Sequence, residues 1–158
     1  MPRTATLLGI ISDTHGLLRA EALRALAGAQ LIIHAGDVGK PEILAALRDI
    51  APVIAVKGNI DTGEWASGLP ATAVVETGRV RIYVLHDLHE IDLDPPGAGF
   101  HVVISGHSHK PSRTDRDGVI YLNPGSAGPR RFRLPITLAR MDVSQSPWKI
   151  EIVNLGTP

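Results

Sequence analysis

The 158-residue sequence contains no cysteine. This excludes disulfides and thiolate-held metals, and leaves nitrogen and oxygen as the available ligand atoms. It has no charge excess either, since 16 basic side chains are matched by 16 acidic ones. Bulk electrostatics therefore gives no strong nucleic-acid signal and none for an anionic membrane, because both need clustered positive charge. Long apolar runs are also missing. The stretch from Leu7 to Ile11 is cut off by Asp13, too short for the apolar region of a signal peptide or for a bilayer span, so a cytoplasmic chain with no membrane partner is expected. What the chain does have is 44% apolar side chains. At this length that suffices for one core, and a single domain over residues 1–158 is expected.

In the first half, short apolar runs alternate with helical patterns, as in strands of a parallel sheet crossed by helices. Leu7 to Ile11, Leu31 to Ile33 and Val53 to Val56 read as strands, while Leu18 to Leu26 and Pro41 to Leu47 read as helices, with Gly28 as a stop and Pro41 in a first turn. Ala73-Val74-Val75 and Val80 to Val84 flank Thr77-Gly78 as a hairpin would, so the sheet is expected to become mixed there. Val102 to Ile104 and Val119 to Leu122 are further strands, and Ile136 to Met141 pairs with Ile150 to Val153. Pro95-Pro96-Gly97 argues for a loop between His89 and Phe100.

The ionisable residues fall just after the apolar runs. Successive runs end in Ser12-Asp13-Thr14-His15-Gly16, His34-Ala35-Gly36-Asp37, Lys57-Gly58-Asn59-Ile60-Asp61, His86-Asp87 and Ser105-Gly106-His107-Ser108-His109. In open α/β sheets ligands bind beyond the carboxyl ends of strands, so these distant segments can converge on one pocket. Asp and Asn supply oxygen and His supplies nitrogen, a donor set that suits Mn, Fe, Zn, Co or Ni. Asp13 with His15, and His107 with His109, have the spacing that points two side chains of a strand end the same way.

These motifs, in this order, resemble the calcineurin-like metallophosphoesterase superfamily: Asp13-x-His15, Gly36-Asp37, Gly58-Asn59, His86 and Gly106-His107-x-His109. The short length and the Gly58-Asn59-x-Asp61 form are most similar to the small YfcE-like phosphodiesterases. The resemblance implies an α/β fold, a four-layer α/β/β/α sandwich with two mixed β-sheets. It also implies two divalent metal ions, manganese foremost, with Asp13, His15 and His109 on the first, Asn59, His86 and His107 on the second, and Asp37 bridging them. The implied enzyme is a binuclear phosphoesterase in which a metal-bridging hydroxide attacks phosphorus in line. Asp37, Asn59 and His86 would be its catalytic residues. The implied partner is a small phosphoester substrate, and a homo-oligomer is compatible with the family.

The sequence departs from the family pattern in two places. Ile60 stands where many members have a histidine that protonates the leaving group, and Asp87 stands where a glycine usually follows the metal-binding histidine. Asp87 either orients a neighbouring histidine or sits at a solvated turn. His34 is read as a hydrogen-bonding support or a buried structural histidine, Asp61 as an indirect support or turn cap, and His89 and His101 as surface residues. Asn123 and Ser126 are weak pocket-lining candidates, and Arg130, Arg131 and Arg133 form a basic surface or a phosphate contact. Two competing functions remain: a low-activity scaffold that keeps the fold, as a retromer subunit does, and a metal-dependent amide hydrolase or deaminase. The second explains Asp37 and Asn59 less well.

Overall fold

The computed structural model describes residues 4–156. Strands β1 (Leu7–Ile11), β2 (Leu31–His34) and β3 (Val53–Ala55) are linked by helices α1 (Ala20–Ala25) and α2 (Pro41–Arg48). The hairpin β4 (Thr72–Thr77) and β5 (Val80–Leu85) follows, then β6 (Val102–Ile104), β7 (Ser112–Arg116), β8 (Val119–Asn123), β9 (Thr137–Asp142) and β10 (Lys149–Asn154). They form two five-stranded sheets, in the orders β10-β9-β1-β2-β3 and β4-β5-β6-β8-β7. Both sheets are mixed: β1, β2 and β3 run parallel while β9 is antiparallel to both its neighbours, β1 and β10, and β5, β6 and β8 run parallel between antiparallel β4 and β7.

The period of two along each strand divides the apolar residues between layers. Leu8 and Ile10 of β1 and Ile33 of β2 enter the core between the sheets, against Val75, Ile82, Val84, Val102 and Ile104. Ile11 and Ile32 face the other way and pack with Ala22 and Leu26 of the α1 segment and Ile43, Leu44 and Leu47 of α2. Burial on both faces is why β1 reads as a continuous apolar run. On the far side of the second sheet, Tyr83, Leu85, Val103 and Val119 are covered by Phe100, Leu88, Ile91 and Leu93. This fourth layer is a 3-10 turn at Leu88–Glu90 followed by loop. Pro95, Pro96, Gly97 and Gly99 do not sustain an α-helix there.

Two elements differ from the sequence expectation. Helix α1 is shorter than Leu18 to Leu26, because Arg19 is extended and its guanidinium reaches the Gly128 carbonyl at 3.3 Å. Strand β7 was not expected at all. Its sequence, Ser-Arg-Thr-Asp-Arg, is exposed throughout, so no apolar alternation marks it; pairing with β8 alone makes it a strand, and its charges suit a sheet edge.

Candidate metal centre

The parallel strands of both sheets deliver their carboxyl ends to one place. The loop after β1 is laced to the loop after β2 by Asp13 N–H to Gly36 O, His15 N–H to Asp37 O and Gly16 N–H to Val38 O, each 2.9 Å. The sheets are joined by the His107 N–H donating to Asp13 Oδ2 at 3.1 Å, and by His86 Nδ1 donating to the Ala35 carbonyl at 2.7 Å. The backbone is strained here. Of the seven non-glycine residues with positive φ among the described residues, five are Asp13, His15, Asp37, His107 and His109. Conformations of this kind cost about 1–3 kcal/mol each and gather at functional sites.

Within this knot, hydrogen bonds consume one side of each carboxylate and leave the other side free. Asp13 Oδ2 accepts from Ser12 Oγ at 2.7 Å and from the His107 N–H, while Asp37 Oδ1 accepts from the Ile60 N–H at 3.1 Å. Asp13 Oδ1 then faces His109 Nε2 at 3.4 Å and His15 Nε2 at 3.8 Å, and Asp37 Oδ2 faces His86 Nε2 at 3.2 Å and His15 Nε2 at 3.5 Å. Asp13 Oδ1, His15 Nε2, His86 Nε2 and His109 Nδ1 are buried without a hydrogen-bond partner. An orphaned buried polar atom is expensive, and the first three of these, with the His15 and His86 nitrogens 3.8 and 3.9 Å from Asp13 Oδ1, need a common partner. Two triads have the spacing to hold an ion: Asp13, His15 and His109, and Asp13, Asp37 and His86. The all-nitrogen-and-oxygen donor set fits a divalent transition metal. His86, fixed through Nδ1 by a backbone carbonyl, is oriented as a metal-binding imidazole is.

From the chain's own charges, burial pushes the Asp37 carboxyl up, but the His86 imidazole at 3.2 Å and the bond from the Ile60 N–H outweigh it and hold it at about 2. Burial pushes His86 down, yet Asp37 and the Ala35 carbonyl lift it to about 8. Burial, helped by the Arg131 guanidinium, pushes His109 down despite Asp13. Beneath the cluster, burial lowers His34 to about 4, and its neutral ring is fully used. Nδ1 accepts the Gly36 N–H at 3.1 Å, and Nε2 donates to Thr14 Oγ1 at 3.0 Å, whose hydroxyl donates to Val38 O.

The motif glycines are where no side chain fits. A Cβ on Gly36 would lie 2.6 Å from His86 Nδ1, and one on Gly106 would lie 2.1 Å from Ser12 Oγ and 2.6 Å from Asp13 Oδ2. The glycines thus let the carbonyl and carboxylate supports approach the histidines.

The model of the calcineurin-like phosphoesterase superfamily domain matches residues 7–146. The chain belongs to this superfamily. It is 40% identical over 133 residues to a probable metallophosphoesterase of Methanocaldococcus jannaschii, covering 76% of this chain and 67% of that protein. A phosphodiesterase of the same organism is 25% identical over 92% of this chain and 98% of its own. The Vps29 structure of Chaetomium thermophilum superposes with a TM-score of 0.77 at 20% identity, covering 98% of this chain and all of that one, which shows the shared fold.

The phosphoesterase-family positions are not equally close in this chain. Asp13, His15, Asp37, His86 and His109 converge. His107 is beside them, its ring 5.2 Å from that of His86, but Nε2 points to Asp87 Oδ2 at 3.8 Å and the side chain is 44% exposed. Asn59 is exposed and shares a cleft with His86 and Asp87. Asp87 combines both roles read from the sequence: it approaches His107, and Oδ1 accepts the His89 N–H at 3.0 Å to cap a 3-10 turn. Asp61 is a buried clamp, accepting the N–H groups of Gly58, Val38 and Gly39 at 2.9, 3.2 and 3.0 Å. Asn123 lines a cleft beside His107 and braces it by donating to Gly106 O and Ser108 Oγ. Ser126 is buried and donates to the Asp13 carbonyl at 3.0 Å, so it supports the loop from behind and does not line the pocket. Arg130, Arg131 and Arg133 are exposed, as are His89 and His101. Sequence reasoning missed Ser12 and Thr14, whose positions between motif residues were their only signal. Among the described residues no helix is long and apolar enough to cross a membrane.

Proposed function

We propose that this chain is a binuclear metal-dependent phosphoesterase acting on phosphodiesters in the cytoplasm. The observation that carries the reading is the cluster of partnerless buried atoms on Asp13, His15 and His86, faced by His109 Nε2, at the point where strand ends of both sheets meet. Asp13, His15 and His109 would hold one divalent ion and Asn59, His86 and His107 the other, with Asp37 shared. Manganese is the ion to try first, and Fe, Zn, Co or Ni suit the same donors. Bound ions of this kind supply an activated water and neutralise charge on phosphoryl oxygens.

The chain's own residues do the rest. Asp13 and Asp37 are aimed by the N–H and hydroxyl groups on their outer oxygens. The Ala35 carbonyl holds the His86 proton on Nδ1, which leaves Nε2 as a donor atom. Ile60, 43% exposed beside Asn59, has no proton to give, so the reaction favours good leaving groups. Support for a diester over a monoester comes from the relative named as a phosphodiesterase.

The test is hydrolysis of a chromogenic phosphodiester and its matching monoester by metal-stripped protein, before and after Mn²⁺ is restored. Metal-dependent turnover with preference for the diester is expected. Two bound ions without turnover of either ester would instead favour a scaffold that keeps the fold, a reading to which Ile60 and the Vps29-like fold lend support.

A further inference from the structure

The edge strand that the sequence did not announce builds a second feature next to the metal centre. A cleft of about 250 Å³ begins at Asp87, Gly106 and His107 and runs out along β7 and β8 to Arg116. Ser112, Thr114 and Arg116 alternate along β7 and so share one of its faces. Their register partners on that face are Asn123, opposite Ser112, and Tyr121, opposite Thr114. Asn123 ties the Ser112 end of the cleft to the Gly106–Ser108 loop by its bonds to Gly106 O and Ser108 Oγ. The far end is cationic. The Arg116 guanidinium lies 4.7 Å over the Tyr121 ring, diagonally across the ladder.

The charges in this cleft are unequally satisfied. Arg113 projects from the opposite face of β7 and is engaged with Asp115 through Nε and Nη2 at 3.0 and 3.2 Å. Arg116 has no ion pair among the described residues. The one carboxylate in the cleft, Asp87, is already turned to His89 and His107. Stacking fixes the plane of a guanidinium while leaving its N–H edge free, which is the geometry that receives an oxyanion in two-point fashion. The four-residue span from Ser112 to Arg116 measures about 13 Å along a strand, less whatever the arginine reaches back.

We propose that this cleft is a subsite for one arm of the substrate, and that Arg116 there binds a second phosphate group located on the order of 10 Å from the phosphorus that reacts. The idea rests on the phosphoesterase reading and narrows it: the substrate is a phosphodiester with a further terminal phosphate on one arm. Ser108 supports this. Its Oγ accepts bonds from Lys110 N–H and Asn123, so its own proton is available to an arm lying in the cleft.

The experiment uses p-nitrophenyl alkyl phosphodiesters with arms of graded length, ending in phosphate or, as controls, in hydroxyl. For wild-type protein with Mn²⁺, kcat/KM is expected to favour the phosphate-ended ester about tenfold or more at one arm length. Arg116→Gln should bring that ratio to about one while leaving the hydroxyl-ended esters unchanged, and Arg113→Gln should preserve it. A wild-type ratio near one at every length, or an unaltered ratio in Arg116→Gln, overturns the proposal. Should none of the esters turn over, the phosphoesterase reading fails separately, and calorimetric binding of the phosphate-ended diester then decides the subsite. Weakening of about tenfold in Arg116→Gln supports it, and equal binding overturns it.

Discussion

Substituting Gly58 by alanine adds a single methyl group to an exposed loop, yet it should damage the metal centre. The methyl carbon would stand 2.1 Å from Asp37 N, 2.2 Å from Asp37 Oδ1 and 2.8 Å from Asp37 Cα. Ordinary contacts begin near 3.4 Å, and the nearest obstacle is backbone, so no side-chain rotation relieves the clash. The two loops must part by more than about 1 Å, which is overpacking of the kind that costs about 1–3 kcal/mol. Parting them also stretches the Ile60 N–H bond to Asp37 Oδ1 and the Asp61 bonds that bind Gly58 to Val38 and Gly39. Loss of a hydrogen bond to a carboxylate adds about 1.5–3 kcal/mol. The total, about 2.5–6 kcal/mol, is a large share of a typical domain's stability but leaves most such domains folded. Urea denaturation should show this loss, and metal analysis of the surviving folded protein should show weakened binding through the displaced Asp37. Gly68→Ala is the control, since nothing lies within 4 Å of its would-be Cβ. Wild-type stability and metal content in Gly58→Ala would refute the close packing of this loop on Asp37.

Three further outcomes are expected. The unfolded chain protonates His34 as pH falls through about 6.5, whereas burial delays this in the folded chain to about 4, so stability falls with pH between those values, by about 2 kcal/mol from pH 7 to 5. His34→Gln should flatten the urea-denaturation profile over that range, and an identical slope would contradict the buried, neutral assignment. Mn²⁺ at a hundred times its dissociation constant should raise Tm by about 5–10 °C over chelator-stripped protein, and scanning calorimetry showing no shift would count against a preformed site. Ile60→His should speed esters of poor leaving groups by about tenfold or more relative to good ones; unchanged relative rates across a leaving-group series would remove the missing-acid argument.

Much of this was legible because the chemistry and the fold use different residues. Apolar runs such as Leu7–Ile11 mark strands buried on both faces, and the polar clusters that interrupt them mark strand ends, so both fold class and candidate ligands could be read from one pattern. What could not be read depended on partners distant in sequence. Strand β7 exists only through pairing with β8, and α1 is trimmed because Arg19 turns toward Gly128. The direction of His107 toward Asp87, and the retreat of Ser126 behind Asp13, are set by loops from both sheets meeting. Neighbouring sequence carries no trace of that meeting.

The central claim is that two ions sit among these residues, and crystals grown with Mn²⁺ and measured at its absorption edge test it most directly. The account predicts two anomalous peaks about 3.5–4 Å apart, one against Asp13, His15 and His109 and the other against Asn59, His86 and His107, with Asp37 between them. A single peak, or density that leaves Asp37 outside the coordination sphere, would contradict it.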